Sequence, residues 1–123
     1  MRHITQMQEE LVAQRLKNAG SCGVLVLCAR GNDEAFRYAG ELAGVLKGAG
    51  WRVGGPEPQD WTIPAGDVAV GVADYSKPGL GALALLDALN AAEISAQTDF
   101  VRAARAEPNR FCLIVGREYL GMI

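Results

Sequence analysis

The feature that most constrains this chain is a pattern written twice, across Val24–Ala49 and Val68–Ala92. Each copy opens on a short apolar run: Val24-Leu25-Val26-Leu27-Cys28 in the first, Val68-Ala69-Val70-Gly71-Val72 in the second. A polar loop follows, Ala29-Arg30-Gly31-Asn32-Asp33 or Ala73-Asp74-Tyr75-Ser76-Lys77-Pro78. Next comes an amphipathic stretch, with Phe36, Leu42, Val45 and Leu46 or Leu80, Leu83, Leu86 and Leu89. Each copy closes on a small-residue corner with an apolar residue beyond it, Gly48-Ala49-Gly50-Trp51 and Ala91-Ala92-Glu93-Ile94. Near-continuous apolar runs suit strands buried on both faces, and apolar residues at helical spacing suit a helix that covers them. The pattern is strand–loop–helix–corner–strand, or two βαβ-like units. Such connections are right-handed and lay helices on a parallel pair. With the last apolar run, Phe111-Cys112-Leu113-Ile114-Val115, the expected fold is α/β. It is one compact mixed, mostly parallel sheet of about five strands flanked by helices.

An amphipathic helix is expected over 1–20, ahead of a single α/β domain over 21–123. Thr5 and Gln8 have capping-box spacing. Glu9 and Glu10 in the early turns and Arg15 and Lys17 near the end suit the helix dipole. Ile4, Met7, Leu11, Val12 and Leu16 share a face that could pack on the sheet or end a coiled coil; Gly20 is the stop. Asn32 or Asp33 caps the second helix, which runs to about Ala49, and Gly50 takes the left-handed conformation after it. Trp51-Arg52-Val53 is a short strand. Gly54–Ala65 contains Pro56, Pro58 and Pro64 and is expected to be a connection, pinned to the core by Trp61 and Ile63. Pro78 opens the third helix. Ile94–Gln97 is a short edge strand, Asp99–Ala106 two helical turns before Pro108, and Arg110–Gly116 the final strand.

Composition narrows the partners. The chain has 123 residues and a net charge of −2, and its Lys and Arg are scattered, which disfavours a nucleic-acid surface. Cys22, Cys28 and Cys112 form no Cys-x-x-Cys pair, and two of them sit in strand runs, where a thiol is a small hydrophobe. His3 is the only histidine, at an end expected to fray, so neither a metal nor another cofactor is assigned. Met1–Gln8 has no signal-peptide core and no run is long enough to span a bilayer. The chain is expected to be cytoplasmic, with no membrane insertion of its own.

Ligands of open α/β sheets lie beyond the carboxyl ends of strands. The loops expected there supply the candidate ligand-binding residues Arg30, Asn32, Asp33, Asp74, Tyr75, Ser76, Lys77 and Arg117. Helix amino termini near Gly31 and Gly79 offer N–H groups to an anion, and Arg30, Lys77 and Arg117 add positive charge. A small anionic or nucleotide-like ligand fits that set. Ordinary capping explains Asn32, Asp33 and Ser76 equally well. Neither Gly-x-Gly-x-x-Gly after the first strand nor Gly-x-x-x-x-Gly-Lys-Ser/Thr occurs. Asp33 and Asp74 have no evident activating partner, so no catalytic residue is assigned. The expected function is a non-catalytic ligand-binding or regulatory domain. One alternative is a homo-oligomeric or membrane-associated assembly module, built on the first helix and the short edge strand. A second is a small nucleoside or NAD hydrolase or transferase using Asp74 or Asp33.

The order of segments resembles nucleoside 2-deoxyribosyltransferases and, more distantly, TIR-type NAD hydrolases, with Asp67–Asp74 similar to their second strand. Those transferases carry a nucleophilic Glu after a Gly-Thr pair in the next helix. Here Gly81-Ala82-Leu83-Ala84-Leu85 places an aliphatic residue at that position, and Asp87 lies two residues on, on another face. The resemblance therefore implies the fold and not the activity. The chain more closely resembles small bacterial α/β domains of uncharacterised role that follow transmembrane and coiled-coil segments. The matching pieces are Ile4-Thr5, Gly31-Asn32-Asp33-Glu34-Ala35, Gly48-Ala49-Gly50-Trp51, Thr62-Ile63-Pro64 and Leu113-Ile114-Val115-Gly116. Two departures are Glu93, where those domains have Gly, and the charged approach Arg102–Glu107 to the last strand. That resemblance implies a native context with a membrane anchor.

Overall fold

The computed structural model describes residues 2–17, 19–20, 22–59, 68–72, 79–100 and 111–116, the side chains of Asp99 and Phe100 excepted. Among these residues, three helices, α1 (Gln6–Lys17), α2 (Asp33–Gly48) and α3 (Leu80–Ala91), accompany five strands. These are β1 (Gly23–Ala29), β2 (Arg52–Gln59), β3 (Val68–Val72), β4 (Ala96–Phe100) and β5 (Phe111–Val115). The fold is α/β with a mixed, mostly parallel sheet, as the doubled pattern requires.

Helix boundaries follow local chemistry. The Thr5 hydroxyl accepts the Gln8 amide at 3.1 Å and the Gln8 side chain accepts the Thr5 amide at 3.0 Å, a closed capping box at the start of α1. Asn32 is the N-cap of α2, and its side-chain oxygen accepts the Ala35 amide at 2.8 Å. The two corners are closed alike: Trp51 N–H donates to Leu46 O at 3.0 Å, and Ile94 N–H to Leu89 O at 2.9 Å. Gly50 (φ +92°) and Glu93 (φ +61°) hold the left-handed position between helix and strand.

The strand order is β2-β1-β5-β3-β4. β1 lies parallel to β2 and β5, β3 lies parallel to β4, and β3 runs antiparallel to β5. Each βαβ unit thus steps outward from β5, in opposite directions and with opposite strand polarity. An approximate twofold axis normal to the sheet relates the two units. It passes near Leu113, which pairs with Val26 on one side and Val70 on the other, the matching midpoints of the two apolar runs.

All three helices pack into one core with the Val24, Val26, Cys28, Val68, Val70, Val72, Phe111, Leu113 and Val115 face of the sheet. Leu27, Ala69, Cys112 and Ile114 form a second buried cluster on the opposite face. α1 packs against both α2 and α3. Val12 and Leu16 supply its buried side chains, while Met7, expected on the same face, is 72% exposed. On α2, Phe36, Gly40 and Gly44 face outward, and a Cβ at either glycine would meet nothing within 4 Å. Each such glycine costs a helix about 1 kcal/mol relative to alanine.

Three expectations need correcting. β2 continues through Pro56 and Pro58 to Gln59, where a connection is expected from Gly54. It can do so because it is an edge strand, whose outer side needs no ladder donors. An extra residue is taken up between the Leu25–Gly54 and Leu27–Glu57 pairs, a β-bulge. Gly55 sits in this bulge at φ +87°, where a Cβ would lie 2.3 Å from Val26 O. The fourth strand is Ala96–Phe100, so Asp99 and Phe100 extend the sheet and do not open a helix. The chain before α1 is fastened rather than frayed, as described below. The expectations for Trp61, Ile63, Pro78 and positions 101–106 lie outside the described residues.

Candidate functional site at the two ends of the sheet

The twofold relation separates the strand ends. Ala29 and Val115 finish their strands at one end, where Cys28 pairs with Val115. Val72 finishes at the other, paired with Phe111 at the start of β5. Five residues of β5 span about 13 Å between them. The strand ends leading to Arg30 and Arg117 therefore lie together, and the one leading to Asp74 lies across the sheet. Arg30, Asn32 and Asp33 are described; Asp74, Tyr75, Ser76, Lys77 and Arg117 lie outside the described residues.

At the first end, Gly31 (φ +74°) turns the chain from β1 into α2. Asn32 spends its side-chain oxygen on the cap, which leaves the Asp33 and Glu34 amides without intrahelical acceptors. Arg30 is exposed; its amide donates to Gln59 O at 3.1 Å and its guanidinium approaches Pro58 O at 3.5 Å. Asp33 is also exposed.

Beside this loop, residues 2–4 strap the first half of α2. The Arg2 guanidinium holds both Glu34 oxygens, at 2.7 and 3.0 Å, and donates to Gly116 O beyond β5. Its carbon lies 4.8 Å from the Tyr38 ring centroid, a cation–π contact. Arg37 donates to Arg2 O at 2.6 Å and bonds Glu41, which accepts the Ile4 amide at 2.9 Å. Arg37 also reaches His3 Nδ1 at 2.8 Å. A guanidinium only donates, so this nitrogen accepts, and the 3.3 Å approach of His3 to Glu41 is not an ion pair in that state.

The Arg2 hydrogen bond holds the Glu34 carboxyl below the usual glutamate range, outweighing burial, which raises it. Burial pushes the Tyr38 hydroxyl up, and does the same to the Cys28 thiol. Chemically, this end offers paired charges, two helix amides, the Arg30 guanidinium and the Asp33 carboxylate. Glu34 and Glu41, engaged by arginines, are poorly placed as general bases. Among the described residues, no group of three or more His, Cys, Asp and Glu could hold a metal ion.

At the second end, described residues form an apolar plug. Trp51 meets Phe111 edge-on, with ring centroids 5.8 Å apart at 78°, and its Nε1 donates to Gly20 O at 3.1 Å. A Cβ at Gly81 would stand 2.8 Å from Phe111 Cε1 and 3.0 Å from Cys22 Sγ, so glycine lets the start of α3 settle on this plug. Gly79 caps α3 with no side-chain hydrogen bond.

Sequence reasoning missed Arg2, Tyr38 and Gly116. Arg2 and Gly116 are 114 positions apart, and no local pattern announces such a contact. The i,i+3 and i,i+4 spacings of Glu34, Arg37 and Glu41 were the available signal for a charged helix edge. In comparisons with protein-family models, curated proteins and solved structures, nothing matches the chain. No helix among the described residues is long and apolar enough to cross a membrane.

Proposed function

We propose that the domain is a non-catalytic binding module for a small ligand with one anionic group, docking where β1 and β5 end. The observation that carries this reading is that two adjacent parallel strands finish beside the amino end of one helix, joined there by Arg2. An anionic group would meet the Arg30 guanidinium and the first amides of α2. Asp33 and Glu34 oppose a polyanion, so the fitting ligand pairs a single carboxylate or phosphate monoester with an uncharged polar body, nucleotide-like at most. Asp33 would accept hydrogen bonds from that body.

A thermal-shift panel of nucleoside monophosphates and small carboxylates tests this. Binding raises stability by RT ln(1 + [L]/Kd), about 2.7 kcal/mol at a hundredfold excess over Kd. At least one class should raise Tm in the native chain, and Arg30→Glu should abolish the rise. A panel with no stabilising member overturns the reading. Assembly is the second reading, and the outward face of α2 favours it.

A further inference from the structure

We infer that the outward face of α2 is a docking surface for a second copy of this chain, with the two helices antiparallel about a twofold axis at Gly40. Asp33, Phe36, Gly40, Gly44 and Lys47 recur at helical spacing and form one exposed stripe. Phe36 is 51% exposed. Gly40 and Gly44 are notches that no described residue fills. Among the described residues, neither Asp33 nor Lys47 forms an ion pair.

The stripe is self-complementary in one register. Antiparallel packing about Gly40 places every residue opposite the one whose number completes 80. Asp33 then faces Lys47 of the other copy, at both ends of the contact. Phe36 faces Gly44, so each ring enters the other helix's notch. Gly40 meets Gly40 on the axis, where the lack of Cβ atoms lets the backbones approach closely. Opposite charge meets opposite charge, and bulk meets vacancy, as an isologous interface demands. The parallel alternative sets Asp33 against Asp33, Phe36 against Phe36 and Lys47 against Lys47, which is repulsive at both ends. One helix face is a small contact, so the dimer is a weak, concentration-dependent one.

Sedimentation equilibrium of the 123-residue chain, from about 10 μM to about 1 mM, reads the association directly. The mean mass should rise from 13.1 kDa towards twice that value. Gly40→Glu should abolish the rise. Asp33→Lys and Lys47→Asp should each weaken dimerisation by about tenfold, and the double variant should regain most of it. Each charge also suits the dipole of α2, and that role alone predicts the opposite for the double variant, the least stable of the set. In a Cys22→Ser background, Gly40→Cys should cross-link to itself on mild oxidation and Asp33→Cys should not. A chain monomeric throughout, a dimer insensitive to Gly40→Glu, a double variant that fails to recover, or cross-linking at 33 but not 40 would each overturn the proposal.

Discussion

The two βαβ units reach the same geometry by different means. In the first, helix-end chemistry does much of the positioning. Asn32 caps α2, Asp33 and Glu34 occupy its first turn, Lys47 its last, and Gly50 turns the corner. In the second, Gly79 at the N-cap of α3 makes no side-chain hydrogen bond, and among the described residues the helix has no acidic first turn and no basic last turn. Its corner carries Glu93 in place of glycine and is clamped by Asn90, whose side chain bonds Leu86 O, Ala96 O and the Ala96 amide. Burial of Ala82, Leu85, Ala88 and Leu89 holds the helix down. What the units share is what a common core around Leu113 demands. Among the described residues, what they do not share is the side-chain cap and the charged first and last turns, which α2 has and α3 does not.

The strongest way to break the comparison is to remove what both units lean on. Leu113 is fully buried between Val26 and Val70. Leu113→Ala should cost about 3 kcal/mol, through lost burial and a cavity at the centre of the sheet. Urea unfolding should show a single transition at lower midpoint by both tryptophan fluorescence and far-UV circular dichroism. In a Trp61→Phe background, where the fluorescence reports Trp51 alone, independent units would separate that signal from the global one.

A smaller effect sharpens the equivalence of the corners. Glu93 holds φ +61°, a conformation that costs a residue with a Cβ about 1 kcal/mol relative to glycine. Glu93→Gly should therefore stabilise the fold by about that amount. Gly50→Glu, where a Cβ meets nothing within 4 Å, should destabilise it by about the same, because only backbone conformation changes. Equal and opposite shifts in urea midpoint would show that the corners are energetically matched. A neutral Glu93→Gly would mean that the Asn90 clamp already offsets the conformation.

The scaffold was legible because its determinants are local or periodic. The capping box at Thr5 and Gln8, the Asn32 cap, the corners at Gly50 and Glu93, and the apolar runs around Val26, Val70 and Leu113 all declare themselves within a few residues. β2 was not legible beyond Val53, because prolines are compatible with a strand only at an edge, and edge position is a property of the sheet. The polarity of β3 against β5 was equally hidden. The doubled pattern is unchanged by a half-turn about the sheet normal, so it does not say whether both loops leave the same end. A single site built from both loops assumed that they do. Arg2 was invisible for a third reason: its partners, Glu34 and Gly116, lie far along the chain.

The smallest effect tests whether the strap of the first unit is an electrostatic device. Glu34 titrates below the ordinary glutamate range when folded because the Arg2 guanidinium stabilises its charged form. A group with a depressed folded-state pKa adds stability that is fully present above its unfolded value, about 4.3, and is lost as pH falls through the folded value. Stability measured against pH should therefore fall less steeply below about pH 4 in Arg2→Ala than in the native chain. At neutral pH, Arg2→Ala should cost about 1 kcal/mol, the sum of the ion pair, the bond to Gly116 O and the Tyr38 contact. The last two do not titrate there, so the gap between native and variant should narrow on acidification without closing. A gap that stayed constant between pH 7 and pH 3 would show that Arg2 holds the end of β5 by its carbonyl bond and ring contact alone. The charge at this end of the sheet would then be incidental to the strap.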